Sequence, residues 1–379
     1  MKEGWEVKKL GEVCDLINGY AFKSGMFRQE GEAILRISNI QNGLVDLSDV
    51  VYFSKADYPR VNLDKFVVLP DDIVVALSGA TTGKFGINRT DKILYLNQRV
   101  AICREKASTL NHLFLLHYLK TLSKSFLESA EGVAQPNLST EKIKQYLIPV
   151  PPLPTQERIV SELDCINSII EKKREQLKEL DALALSIFYD MFGDPIHNEK
   201  GWEVRKLGEV AKLKAGKSIK ASELSEEYTD GLYPCYGGNG IRGYIQKKSH
   251  EGTLPIIGRQ GALCGNVVLA RNEFYATEHA VVCTPIISID NIWLYWALLF
   301  CKLNRFAQGV AQPGISVGVI NEMLLPLPPL PLQQSFASKI EAIEKQKELI
   351  KRSIAETETL LASRANFFTL HFHFHQEAF

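Results

Sequence analysis

The ten residues "GWEVKKLGEV" at 4–13 return as "GWEVRKLGEV" at 201–210, with Lys8 against Arg205 the single difference. Nine identities in ten near the midpoint of a 379-residue chain mark an internal duplication, and a duplicated chain is expected to fold as two copies of one unit. The length agrees, because 379 residues exceed what one hydrophobic core usually organises. A second echo closes each copy: "GVAQPNLS" at 132–139 against "GVAQPGIS" at 309–316, followed by "LIPVPPLPTQ" against "LLPLPPLPLQ". Between these anchors the likeness thins to "GATTG" at 79–83 against "GALCG" at 261–265, and "NQRVAICR" against "TEHAVVCT". The offset between copies falls from 197 to 182, 180 and 177, so the second copy is twenty residues shorter. A scaffold that keeps its packing around a contact surface that changes would leave this pattern, and so would plain drift after duplication.

A helical segment follows each proline run. Ile159, Leu163, Ile166, Ile170, Lys173, Leu177, Leu180, Ala184 and Ile187 fall at alternating steps of four and three. Phe336, Ile340, Ile343, Lys347, Ile350, Ile354, Thr357 and Leu361 repeat the pattern in the second copy. Both are coiled-coil seams interrupted by a lysine, and each predicts a helix of roughly 30–35 residues. A lone helix with such a stripe leaves it exposed, so the partner is the other copy, with packing on its own globular region as the alternative. The antiparallel register with the most apolar layers sets Ile159 opposite Leu361, Ile166 opposite Ile354, Ile170 opposite Ile350, Leu177 opposite Ile343 and Leu180 opposite Ile340. It also brings Lys173 to Lys347. Pro149, Pro151, Pro152 and Pro154 suggest an extended, stiff approach to the coil that joins neither a helix nor a sheet interior.

Composition excludes several classes. With 45% hydrophobic and 23% charged residues the chain reads as globular, not disordered. The start has no apolar leader, and the longest apolar run, "IWLYWALLFC" at 292–301, is too short to span a bilayer and reads as a buried helix. Seven scattered cysteines without a C-x-x-C pair suggest free thiols in a reducing cytoplasm and no zinc module. The 44 basic residues balance the 44 acidic ones, which argues mildly against nucleic acid. Locally, however, 205–220 carries six basic residues and one acid, against five and eight in 154–193.

No catalytic constellation emerges. "GATTGKF" at 79–85 has three residues between its glycines where a phosphate loop needs four, and Phe85 stands where that loop needs a hydroxyl. Both Pro-Pro pairs are followed by leucine, so the Pro-Pro-aromatic motif of adenine methyltransferases is absent. His371, His373 and His375 would share one face of an extended tail, a metal site or, more simply, a solvated end. What remains is of a binding kind. Ser139 and Ser316 are placed to cap short helices whose free N–H groups suit a phosphate. Gln135 and Gln312, just outside those caps, can pair with adenine, but the same residue in both copies cannot discriminate two sequences, which favours a structural role. Glycine loops after residues 78 and 260 allow close approach, with Lys84 and Arg89 around the first and Arg259, Gln260 and Asn266 around the second. Arg259 and Gln260 have the chemistry that reads guanine and adenine edges, or are ordinary loop residues.

Diverged domain, "GVAQPN" loop, "PPLPTQERI" and long helix, given twice with "GWEVKKLGEV" opening each copy, resemble the specificity subunit of type I restriction–modification systems over nearly the whole chain. The resemblance implies an α+β fold: two mixed α/β target-recognition domains with twisted β-sheets, related by a pseudo-twofold repeat and joined by two long helices in an antiparallel coiled coil. The expected boundaries are 1–153 and 194–330 for the recognition domains, 154–193 and 331–370 for the helices, and 371–379 for a tail. It further implies a non-catalytic, cytoplasmic protein that reads a split double-stranded DNA target. Two methyltransferase subunits would dock on it, together with restriction subunits, and these partners would bind S-adenosylmethionine, ATP and magnesium, leaving no cofactor or metal in this chain. Candidate DNA contacts are then Lys23, Arg36, Asn39, Gln41, Ser78, Thr81, Thr82, Lys84, Arg89 and Gln135 in the first copy. In the second they are Lys214, Lys217, Lys220, Tyr236, Asn239, Arg242, Arg259, Gln260, Asn266 and Gln312. The chain departs from its own repeat in "LPLQQSF", which lacks the counterpart of Glu157, and after Asn366, where aromatic and histidine residues replace "FYDMFGDP". Competing readings are a free-standing methyltransferase or nuclease, which the missing motifs oppose, a coiled-coil adaptor between proteins, and the specificity subunit of a related restriction–modification enzyme outside type I.

Overall fold

The repeated motifs are partners of one another. Strand Glu6–Lys9 pairs antiparallel with Leu147–Val150, Glu6 opposite Val150, and Glu203–Lys206 pairs with Leu324–Leu327 in the same way, Glu203 opposite Leu327. Glu12 and Glu209 accept from the backbone N–H of Lys9 and Lys206 at 3.2 and 3.3 Å, each capping a single helical turn. Lys9 Nζ then donates to Gln145 Oε1 at 2.8 Å and Lys206 Nζ to Glu322 Oε2 at 2.6 Å. The opening and closing motifs thus clasp the two ends of each globular region, and a change in one is felt by the other.

The structure, a computed structural model, describes residues 4–79, 82–106, 110–130, 138–309 and 313–369. Its contacts divide the chain into two units, Met1–Lys173 with Ser353–Phe379, and Arg174–Arg352. The first unit holds a six-stranded sheet in the order Cys14–Asn18, Val100–Glu105, Ile73–Ala76, Phe85–Ile87, Leu44–Val45, Ile40–Gln41. A four-stranded sheet orders Val51–Phe53, Glu32–Leu35, Leu94–Leu96 and Val67–Val68. The central strands are apolar at successive positions because both of their faces are covered. Ile73, Val75, Ala101 and Cys103 pack on Phe114, Leu115, Tyr118 and Leu119 of helix His112–Thr121. The alternate residues Val74, Ala76, Val100 and Ile102 pack on Leu35, Val68, Leu94 and Leu96 of the other sheet.

The second unit repeats this scheme with two four-stranded sheets, Ala211–Ala215, Ala280–Pro285, Leu254–Gly258, Val267–Ala270 and Gly240–Ile245, Tyr233–Gly237, Glu273–Ala276, His250–Glu251. Ile257, Val281 and Cys283 face Trp293, Leu294 and Leu298 of helix Asn291–Phe300, the apolar run seen in the sequence. Ile256, Ala280 and Val282 face Phe274 and Ala276. Among the described residues no helix is long and apolar enough to cross a membrane. All seven cysteines are free and only Cys165 is exposed. Burial raises the Cys283 thiol and pushes Cys301 up to about 12.

The long helices are Leu153–Phe192 and Leu330–Thr369, each of 40 residues. They are longer than the roughly 30–35 residues read from the seam because the proline run does not stop them: Pro154 and Pro331 occupy first-turn positions, where a helix leaves N–H groups without partners anyway. Pro149 likewise lies inside a strand, opposite Val7, tolerated because a two-stranded ribbon has open edges. Every expected seam residue is buried or half-buried. In the first unit Ile159 and Leu163 share a core with Leu361; in the second Leu180 shares one with Phe336, Ile340 and Ile343. The register differs from expectation: within each unit the facing residues are displaced along the helices, with Arg364 on Glu162 and Phe188 against Phe336, so Lys173 and Lys347 do not share a layer. Lys173 Nζ donates to Ser353 Oγ at 2.7 Å and Thr357 Oγ1 at 3.0 Å, while Lys347 Nζ pairs with Asp181 at 2.7 Å and Glu344 at 2.8 Å. Two facing ammonium groups would repel, and each long stem instead reaches its own acceptors along the seam. Burial alone would lower the Lys347 ammonium, but its bonds to Asp181 and Glu344 outweigh that and hold it raised.

Candidate nucleic-acid interface

In each unit three loops converge through a matched set of backbone hydrogen bonds. In the first, Gly19 N–H donates to Val100 O, Tyr20 to Leu96, Val100 to Asn97 and Leu77 to Arg99, at 2.8–3.1 Å. In the second, Gly216 donates to Ala280, Lys217 to Ala276, Ala280 to Thr277 and Arg259 to His279, at 3.0–3.1 Å. Gly19 and Gly216 are required: a Cβ on them would lie 2.1 and 1.9 Å from the carbonyl oxygens of Asn97 and Ala276. The glycine loops match too. Gly79 and Gly83 have φ of 82° and 78°, Gly261 and Gly265 90° and 86°, a left-handed region that favours glycine. Leu138 N–H reaches Leu77 O at 2.7 Å and Ile315 N–H reaches Arg259 O at 2.9 Å, which brings the segment beside each cap into the same cluster.

The sequence candidates fall into two groups. Asn39 is buried, accepting from Arg36 N–H at 3.0 Å and donating to the carbonyls of Asp46 and Asp49. Thr82 is buried and donates to Gly79 O at 2.7 Å, and Arg36 donates to the Asp49 carbonyl at 2.9 Å. These residues serve the loops' own bonding, because a short polar side chain next to a turn finds a local carbonyl first. Arg89 pairs with Asp71, Gln41 donates to Ser38 O, and Ser78 is half-buried. Ser139 and Ser316 accept from Lys142 and Val319 N–H, both at 3.2 Å, and cap helices of only six and five residues.

Lys23 and Lys84 are exposed in the first unit, as are Lys214, Lys217, Lys220, Arg242 and Gln260 in the second. Asn239 and Asn266 bond each other at 2.8 Å, and Arg259 is half-buried where the first unit has the core residue Leu77. Tyr236 packs edge-on to Phe274, and burial raises its hydroxyl. His250 is lowered by burial and by Lys214. Thr81, Gln135 and Gln312, and His371, His373 and His375 of the tail, lie outside the described residues.

Sequence reasoning missed the tip of the turn itself. Gln98 and Arg99 are exposed there in the first unit, and Glu278 and His279 are half-buried in the second. Their signal was present, since "NQRV" against "TEHA" changes every side chain within an otherwise matching echo. It also missed Gln156 and Gln333, both fully buried. Among the described residues no three His, Cys, Asp or Glu side chains group as metal ligands.

The family profile "Type I restriction modification DNA specificity domain" matches residues 2–181 and 199–359. The chain belongs to that family. Its function is the family's, DNA sequence specificity in restriction and modification. The specificity subunit of the type I restriction enzyme EcoprrI of Escherichia coli is 32% identical over 313 residues, covering 79% of this chain and 76% of that one. The MjaVIII specificity subunit of Methanocaldococcus jannaschii is 32% identical over 406 residues, covering 95% and 92%. In fold, the chain is similar to the type I restriction-modification S subunit from M. genitalium, with TM-score 0.59 and 18% identity over 96% of both chains. A chain from a study of type I assembly and conformational transition gives TM-score 0.63 at 18% identity over 97% of this chain and 98% of that one.

Proposed function

We propose that this chain is the non-catalytic recognition subunit of a type I restriction–modification complex and that each unit reads one half of a split DNA target. The long helices set the spacing between half-sites and dock two methyltransferase subunits. Those partners modify adenine with S-adenosylmethionine, and restriction subunits use ATP and magnesium, so this chain needs no cofactor of its own. One observation carries the reading: the same hydrogen-bonded loop framework occurs in both units and presents different polar side chains in each. A pure adaptor has no use for that combination. The balance of 44 basic and 44 acidic residues fits a subunit that contributes selection while phosphate contacts are shared with its partners.

The test is to exchange residues 14–131 for the corresponding segment of another family member and to map adenine methylation in cells that carry the methyltransferase. One half of the methylated site changes and the other stays. A change in both halves, or in neither, contradicts two independent readers.

A further inference from the structure

Within the loop cluster, one turn combines a fixed backbone with changed chemistry. The turn is held on both flanks by the four matched hydrogen bonds above, and its approach is tight enough to demand Gly19 and Gly216. A loop anchored in this way holds its tip in place at little entropic cost on binding. At that tip the first unit carries Gln98 and Arg99 and the second carries Glu278 and His279.

The second tip also holds unused hydrogen-bonding capacity. Thr277 Oγ1, Glu278 Oε2 and His279 Nδ1 are shielded from solvent and have no hydrogen-bond partner. The remaining carboxylate oxygen, Glu278 Oε1, lies 3.4 Å from His279 Nε2, so the two side chains hold each other loosely. The rest of both side chains is open to solvent, 42% of Glu278 and 39% of His279, so a ligand can reach them without opening the turn. Two basic residues flank the turn through their backbone, Arg259 N–H donating to the His279 carbonyl and Lys217 N–H to the Ala276 carbonyl.

We propose that this turn is the base-reading element of each unit. The proposal rests on the DNA-recognition reading above and assigns it to specific side chains. Gln98 and Arg99 offer an amide and a guanidinium, which match the paired edge groups of adenine and guanine. Glu278 is acceptor-only when ionised, so it selects a base that presents an exocyclic amino group in the major groove, cytosine or adenine, and rejects guanine and thymine. His279 orients the carboxylate. The two half-sites therefore differ because one backbone turn carries different side chains.

The test is the double substitution Glu278→Gln with His279→Arg, which gives the second turn the side chains of the first. Methylated sites are mapped in cells that carry the methyltransferase, beside the wild type. The first half-site stays unchanged, while the second changes its preferred base at one or two adjacent positions by at least tenfold. An unchanged second half-site at full methylation overturns the proposal. A wild-type map without a split target would instead overturn the DNA-recognition reading, which separates the two failures. If the double variant does not fold, as judged by thermal melting, Gln98→Glu at the exposed first turn is read in the same way. An altered first half-site supports the assignment and an unaltered one overturns it. If a folded variant methylates nothing, selection from randomised duplexes decides by whether the preferred second half-site has moved.

Discussion

Gln156 accepts a hydrogen bond from the backbone N–H of Asn111 at 2.7 Å and donates to the Pro151 carbonyl at 2.7 Å. Gln333 repeats both contacts with Asp290 at 2.9 Å and Pro328 at 2.8 Å. Asn111 and Asp290 are the N-caps of the helices that cover the sheets, so each glutamine ties a long helix to the globular part of its own unit. Replacing Gln156 by alanine strands one buried and one partly buried backbone group. It should cost about 2–4 kcal/mol in urea unfolding of that unit, and Gln333→Ala should cost as much in the other. A loss below about 1 kcal/mol would show that the glutamines are not the ties.

Lys173 places a cation in a mostly apolar seam, held by Ser353 and Thr357. A polar layer specifies register at a cost in stability. Lys173→Met removes that cost, and Thr357 keeps the Ser353 carbonyl as its acceptor at 2.6 Å. The melting temperature should hold or rise, whereas Lys173→Asp should lower it. A methionine variant less stable by more than about 1 kcal/mol would mean that the ammonium bonds are net stabilising.

His117 Nε2 lies 2.7 Å from Asp164 Oδ1. Burial lowers the imidazole below its ordinary 6.5 and outweighs the opposing pull of Asp164. A histidine lowered in the folded state takes up protons first in the unfolded chain. Stability is therefore flat above pH 6.5 and falls as pH drops below it, until the folded histidine also protonates. The slope from one group is at most about 1.4 kcal/mol per pH unit. Melting curves from pH 7.5 to 5.5 should show the fall for the wild type and a flatter course for His117→Gln. Identical slopes would remove His117 from the account.

Legibility differed with the kind of physical constraint. The repeated ends were plain because Glu6–Lys9 and Leu147–Val150 pair with each other and resist separate change. The helices were plain because a seam residue such as Ile159 recurs at fixed steps. The two-sheet core was not, since Ile73–Ala76 is apolar at every position and only tertiary contacts assign Val74 and Val75 to opposite faces. Asn39 and Thr82 have the side chains of contact residues, yet local carbonyls claim them. The Gln98 turn is not legible in the sequence because the hydrogen bonds that fix it run to Tyr20 and Leu77, far away in the chain.

The spacing role of the helices has its own test. Four residues inserted after Ser168 lengthen one helix by about 6 Å at 1.5 Å per residue, at most about two base-pair steps. The methylated half-sites should keep their sequences while the gap between them changes. An unchanged gap in a folded, active variant would refute the helices as the ruler.

The most direct measurement is a base-resolution map of methylated adenine in DNA from cells expressing this chain with its methyltransferase. Two readers on one chain predict a single split target, two unlike short half-sites separated by an unread gap of constant length. A continuous target, two identical half-sites, or methylation independent of this chain would contradict the account.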